Sequence, residues 1–219
     1  MVFPNEYEIE WNDNNTYNSE VDRADSALYY VDLQIGRLLT DLEENGKAEN
    51  TVIIFSTDHG HDWYSKHYIK GHGKSIYDEE LKVPLIFYIP DLKAQKIEER
   101  VSHIDVLPTV LTLMQIDYNE TEFIGKPMSE NRRFFFYTQS HKYLIGMMNG
   151  DNKTIIDLNR NLVEVYDLSI SPEERGNLVY KKQNDEDILE LLMWHHCQLN
   201  YFSVDKPDLG LAQYCENFG

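Results

Sequence analysis

The 219-residue sequence predicts an α/β fold with a smaller α+β appendage. Three observations carry this. Apolar residues recur every third or fourth position over 21–42. Two apolar runs rich in β-branched residues, 51–57 and 83–89, flank a polar loop. After residue 128 the texture changes to short strand-like runs separated by Asn, Gly and Asp. The chain therefore divides into an α/β part, 1–128, and an antiparallel part with its tail, 129–219.

Residues 1–16 are polar, with Pro4 among several Asn and acids, and predict a loose lead-in. Val21, Ala24, Leu28, Val31, Ile35, Leu38 and Leu42 form one helical stripe. Asp22, Arg23, Asp41, Glu43 and Glu44 lie largely off it, and Gly46 stands where a helix stop belongs. The run 51–57 lacks polar alternation, as in a parallel strand buried on both faces. The run 83–89, closed by Pro90, predicts a second such strand. Between them, 58–74 is a loop crowded with His and Gly, followed by a short helix over 75–81. Residues 104–114 predict an apolar helix capped by Asp105, with Pro108 in its first turns. Runs at 133–138, 142–148, 153–158 and 162–167 predict an antiparallel sheet. A last helix over 185–200 carries Ile188, Leu189, Leu191, Leu192 and His195, and the tail 203–219 is polar.

Composition excludes some partners. Twenty basic and 38 acidic residues give a formal charge of −18. Nucleic acid and anionic lipid both require a Lys/Arg surface, so neither is an expected partner. No apolar run approaches the ~20 residues that span a bilayer, so no membrane contact is expected from this segment. Residues 1–6 lack the basic and apolar regions of a signal peptide. Sequons at Asn14, Asn119 and Asn152 hint at a secretory route, and localisation stays open. Cys197 and Cys215, the two cysteines, form no framework; ordinary thiols are expected, with a bridge as the alternative.

The chemistry concentrates in the loop. The strand 51–57 delivers Asp58 and His59 at its carboxyl end, where sites form in open α/β sheets. A carboxylate and an imidazole are both metal ligands, and Gly60 allows the turn that lets neighbours converge. Four of the eight histidines (His59, His61, His67, His72) fall between 59 and 72. His72 sits between Gly71 and Gly73, which let backbone approach a ligand. The cluster points to a metal or anion site. His61 and Asp62 are expected as solvated loop residues. His103 and His141 are expected to be structural, and His195 and His196 to pack or face solvent.

Thr57-Asp58-His59-Gly60, followed by Lys70-Gly71-His72-Gly73-Lys74 and continuing to Lys82-Val83-Pro84-Leu85-Ile86, resembles the sulfatase family of the alkaline phosphatase superfamily. Three further blocks agree in order: the helix 30–39, the "D-x-x-P-T" start in Asp105-Val106-Leu107-Pro108-Thr109, and the signature Tyr166-Asp167-Leu168 through Asn177-Leu178. In that signature Ser171 replaces an Asp. The resemblance covers roughly residues 25–180. It implies part of an alkaline-phosphatase-like mixed sheet flanked by helices, with a small C-terminal antiparallel sheet and a helix.

The resemblance also implies roles. Asp58 and His59 would bind a divalent cation, usually calcium in sulfatases and manganese or zinc in relatives acting on phosphate esters. His72 stands where many sulfatases have a Lys that contacts the transferred group. His67 falls near a family His, and Lys74 is a further candidate for ester contact. His61 replaces a family Glu. The implied partner is an anionic ester of sulfate or phosphate. A bound cation would supply the local positive field that a chain of charge −18 lacks.

The family nucleophile, a Cys or Ser in C/S-x-P-x-R or a Ser or Thr in phosphoester relatives, has no match, nor do the family's first acidic metal ligands. The chain is thus expected to correspond to the C-terminal half of such an enzyme and to be inactive alone. A phosphoryl or phosphoglycerol-type transferase of the same superfamily is the alternative; a non-catalytic binding module on the scaffold is the second.

Overall fold

A computed structural model describes residues 19–63, 66–128, 132–178, 185–201 and 215. The lead-in 1–16 and all of the tail 203–219 except Cys215 lie outside them. In chain order the elements are α1 (Ser19–Glu44), β1 (Ile53–Ser56), β2 (Asp62–Trp63), β3 (Lys70–Gly71), α2 (Asp78–Leu81), β4 (Leu85–Tyr88), α3 (Val106–Leu113), β5 (Phe134–Thr138), β6 (Leu144–Asn149), β7 (Asn152–Asp157), β8 (Leu162–Asp167) and α4 (Asp185–Tyr201). Among the described residues no helix is long and apolar enough to cross a membrane. Two compact units result, one of residues 1–58 with 83–95 and one of residues 59–82 with 96–219.

In the first unit α1 ends as Gly46 predicts. Gly46 adopts φ +63°, its N–H donates to the Glu43 carbonyl at 3.0 Å, and Lys47 N–H donates to the Leu42 carbonyl at 2.8 Å. This pair of bonds satisfies carbonyls that the helix end would otherwise leave open. Among the described residues of α1, Ser26 and Ala27 are the buried ones, whereas Leu28, Val31 and Leu38 of the predicted stripe are exposed. Periodicity identifies residues that share a face without identifying what covers it.

β1 and β4 pair antiparallel, not parallel, in the register Ile53↔Tyr88 to Ser56↔Leu85. The intervening chain leaves at Ser56 and returns at Leu85, its register partner, so the two strands are the arms of one wide hairpin. Ser56 Oγ donates to the Pro84 carbonyl at 2.9 Å across its mouth. Neither strand is buried on both faces: β4 alternates, with Ile86 and Tyr88 exposed. An unbroken apolar run does not encode pairing direction.

The second unit is built on the antiparallel sheet β5-β6-β7-β8. Successive strands are joined by hairpins, and Gly150 at φ +56° opens the β6–β7 turn. Both faces of the sheet are covered. Leu144, Met148, Ile155 and Tyr166 pack with Ile76 on one face. Ile145, Met147 and Ile156 pack with Leu191 and Trp194 of α4 on the other. α3 follows a 3-10 turn, His103–Asp105, where Ser102 and Asp105 form a capping box. The buried Asp105 carboxylate also accepts from Lys126 N–H at 3.0 Å and pairs with Arg132, while Thr109 Oγ1 accepts from Met128 N–H at 3.0 Å. The "D-x-x-P-T" block thus ties residues 126–132 to the helix start.

Cys197 and Cys215 form a disulfide with Cα atoms 5.5 Å apart, which corrects the expectation of two ordinary thiols. Composition does not show that the chain after α4 brings residue 215 back to the helix. That separation falls in the range a disulfide requires.

Gly146 marks the closest approach on the face that holds Ile76. A Cβ there would lie 2.2 Å from a Phe136 ring carbon and 2.8 Å from Ile76 Cδ1. Gly146→Ala is expected to lower the unfolding free energy by about 1–3 kcal/mol through overpacking. Denaturant unfolding checks this; a midpoint equal to that of the parent protein would show that the face has room.

Candidate active site

Residues 59–82 form the histidine-bearing loop, and four anchors hold it to the sheet. Ile76 is buried in the core above. Tyr77 OH donates to Glu164 Oε2 at 2.7 Å, Thr138 Oγ1 donates to the Gly73 carbonyl at 3.1 Å, and Lys153 Nζ donates to Asp78 Oδ1 at 2.8 Å. A polar, His-rich loop with few apolar residues of its own acquires a defined shape in this way.

The loop's glycines serve different ends. At Gly60 the chain passes against the backbone of α2: its N–H donates to the Glu80 carbonyl at 2.8 Å, and a Cβ would lie 2.1 Å from the Glu79 carbonyl oxygen. Close approach, rather than a left-handed turn, is what demands glycine there. Gly71 and Gly73, on either side of His72, do adopt positive φ, +106° and +70°. The short β2–β3 pairing sets Asp62 opposite Gly71.

Three of the predicted imidazoles converge. His59 and His72 stack with ring centroids 4.1 Å apart, and His61 lies 5.8 Å from His72 and 4.0 Å from the Trp63 ring. Burial, then the neighbouring His72 and His59, hold the His61 pKa below the ordinary imidazole value. That shift favours the neutral His61 ring, with one lone pair and one N–H.

His59 Nδ1 is 2.8 Å from the Gly60 carbonyl oxygen. That oxygen only accepts, so Nδ1 is the donor, and in the neutral form of the ring the lone pair falls on Nε2, the tautomer that suits a metal ligand. Asp58, exposed after β1, is the last residue of the first unit and immediately precedes His59. The imidazole Nε2 fits zinc, the carboxylate fits calcium or manganese, and the mixed pair suits a transition-metal ion better than calcium.

The other candidates lie differently. Lys74 Nζ folds back to donate to the Lys70 carbonyl at 2.6 Å, beside Gly71. His67 is not in the imidazole stack. Its ring stacks on Tyr77 at 3.7 Å, Nε2 is 3.1 Å from the Glu174 carbonyl oxygen, and Nδ1 is 3.5 Å from Glu79 Oε2. Asp62, expected in solvent, is fully buried, because β2 carries it beneath the loop. His195 meets Tyr143 OH through Nε2 at 2.5 Å, the packing role expected of it.

Glu80 organises the loop and was not expected to. Its buried carboxylate accepts from Ser75 N–H at 2.9 Å, Ser75 Oγ at 2.7 Å and Lys74 N–H at 3.2 Å. Acids opening a short helix read as solvated, and nothing in Asp78-Glu79-Glu80 marks the third as the one that meets Ser75.

Comparison with known proteins gives consistent matches. The Sulfatase family model matches residues 2–116. The uncharacterized sulfatase YidJ of Escherichia coli (strain K12) is 30% identical over 162 residues, 68% of this chain and 32% of that protein. An N-acetylglucosamine-6-O-sulfatase of Bacteroides thetaiotaomicron is 28% identical over 204 residues, 81% of this chain and 35% of that protein. Among solved structures, BT4656 in complex with its substrate D-glucosamine-2-N,6-O-disulfate aligns with a TM-score of 0.61 at 24% identity, covering 88% of this chain and 40% of that one. This likeness shows the alkaline-phosphatase-like fold. The chain spans about a third of the length of these two curated relatives.

Proposed function

The chain belongs to the sulfatase family, and from that premise we propose that its histidine loop forms part of the active site of a metal-dependent sulfuric-ester hydrolase. Asp58 and His59 are the cation ligands it supplies, and His72 contacts the ester. The observation that carries this is the His59–His72 stack beside the paired glycines. It sets a metal-ready imidazole against a hydrogen-bonding one.

A sulfate ester is an anion approaching a chain of charge −18. When bound, the cation would polarise the ester oxygens and offset that field. The chain's own residues supply the rest. The Gly60 carbonyl holds the His59 tautomer. His72, between two glycines with no side chain to obstruct an oxyanion, donates an N–H to a sulfuryl oxygen or a proton to the leaving oxygen. Lys74, beside Gly71, adds positive charge at the loop's edge. Sulfated amino sugars are the substrate class to assay first, because the curated relative that covers 81% of this chain is named for one.

The test is hydrolysis of 4-nitrophenyl sulfate and 4-nitrophenyl phosphate by the enzyme in which these residues stand, with and without a chelator. Sulfate-ester turnover that is lost on chelation and restored by a divalent cation is expected. A preference for the phosphate ester would overturn the sulfuric-ester assignment. The 219 residues assayed alone are expected to release no nitrophenol, because they carry neither the nucleophile motif nor the first acidic ligands.

A further inference from the structure

We propose that Asp62, His67 and Glu79 form a divalent-cation site of their own, with the chemistry of a zinc or manganese centre and separate from Asp58 and His59. One ligand atom from each lies within 4.8 Å of the others. All three belong to the second unit.

The site is built rather than superficial. Asp62 is fully buried. The Glu79 side chain is 9% exposed, yet neither of its carboxylate oxygens receives a hydrogen bond. A buried carboxylate without hydrogen bonds is costly unless a positive charge faces it.

His67 supplies the second, independent observation. Its Nε2 meets the Glu174 carbonyl oxygen at 3.1 Å, and a carbonyl only accepts, so Nε2 carries the proton. In the neutral ring Nδ1 is then a bare lone pair, and it faces Glu79 Oε2 at 3.5 Å. Two electron-rich atoms facing each other repel; a cation between them converts the repulsion into coordination. A ligating imidazole whose other N–H is fixed by a backbone carbonyl is the arrangement that orients metal-bound histidines. Stacking on Tyr77, at 3.7 Å and 9° between planes, sets the ring's tilt.

One nitrogen and two carboxylates suit zinc or manganese and leave coordination positions open. Lys66 is the competing cation. Its Nζ is 3.7 Å from Glu79 Oε1, and its side chain is 33% exposed on a flexible stem, so it can swing to solvent when a metal enters. The rival arrangement, in which Lys66 and a protonated His67 together neutralise Glu79, is decided by experiment.

The protein is stripped with a chelator and titrated with zinc chloride by calorimetry. A His59→Ala/His61→Ala/His72→Ala background removes the imidazoles of the other cluster. One equivalent of zinc is expected to bind in that background. Glu79→Gln and His67→Gln are each expected to weaken it by at least about 10-fold. Binding unchanged by both substitutions, or no binding in that background, overturns the proposal and favours the Lys66–imidazolium arrangement. If a variant does not fold, nitrogen-15 spectra of the unmutated protein decide: zinc is expected to move the His67 Nδ1 resonance while Nε2 keeps its proton, and an unmoved resonance overturns the site. Neither measurement depends on ester hydrolysis, so failure of the proposed activity would leave this result distinct.

Discussion

Lys153→Ala is expected to lower the unfolding free energy by about 3–5 kcal/mol, because it leaves two acids without their buried cation. Lys153 is fully buried on β7, with Nζ 2.8 Å from Asp78 Oδ1 and 2.5 Å from Glu174 Oε1. Glu174 is equally buried, and its Oε2 accepts from Asp78 N–H at 2.7 Å. Burial is the largest influence on Glu174 and pushes its pKa up, while Lys153 pulls it back.

The sign of the pH effect follows. A carboxyl with a raised folded pKa binds its proton more tightly when folded, so its contribution to stability falls as pH rises from the ordinary glutamate range through the raised value. Removing Lys153 removes the opposing pull, and the window extends upward. Denaturant unfolding of parent and variant at about pH 5 and about pH 8 reads both effects. The variant is expected to lose more stability at the higher pH. Lys153→Met keeps most of the volume and isolates the charge from the cavity. Unfolding of Lys153→Ala within about 1 kcal/mol of the parent would mean that the pair contributes little here.

The second large effect is catalytic. In the active enzyme His72→Ala is expected to reduce kcat/KM for a sulfate ester by about 10²–10³-fold, the loss of one positioned donor. The substitution leaves Gly71 and Gly73, which carry the positive φ on either side, in place. His72→Lys restores a donor of the kind many sulfatases carry there and is expected to recover part of the rate. Steady-state kinetics on a sulfate ester decides the matter; a change under about 3-fold would remove His72 from contact with the reacting group.

The secondary structure was legible in this sequence to within a residue or two at most boundaries, because its signals are local. Gly46 ends α1, and Asn, Gly and Asp turns separate β5 to β8. What failed depends on distant chain. The exposure of Leu28 and Leu38, the antiparallel pairing of β1 with β4, and the burial of Asp62 are set by which segment arrives alongside. At the site, the clustering of His59, His61 and His72 was readable as spacing. Two other roles were not: Glu80 turned inward, and His67 turned toward a carbonyl 107 residues away. A polar side chain's partner is a tertiary fact, and an acid in a short polar stretch looks the same whether it faces water or backbone.

The sheet beneath the loop also implies an order of events during folding. β5 to β8 join through hairpins, so each ladder closes over a short stretch of chain, and such local contacts form early. The histidine loop reaches the same sheet through Thr138 and Lys153, and the turn after β8 through Glu174, across separations of 65, 75 and 96 residues. Its entropic cost of closure comes later and is offset only once the sheet exists. The chemistry-bearing loop is therefore expected to be the last part of this unit to form and the first to open, leaving a native-like sheet that lacks a formed site.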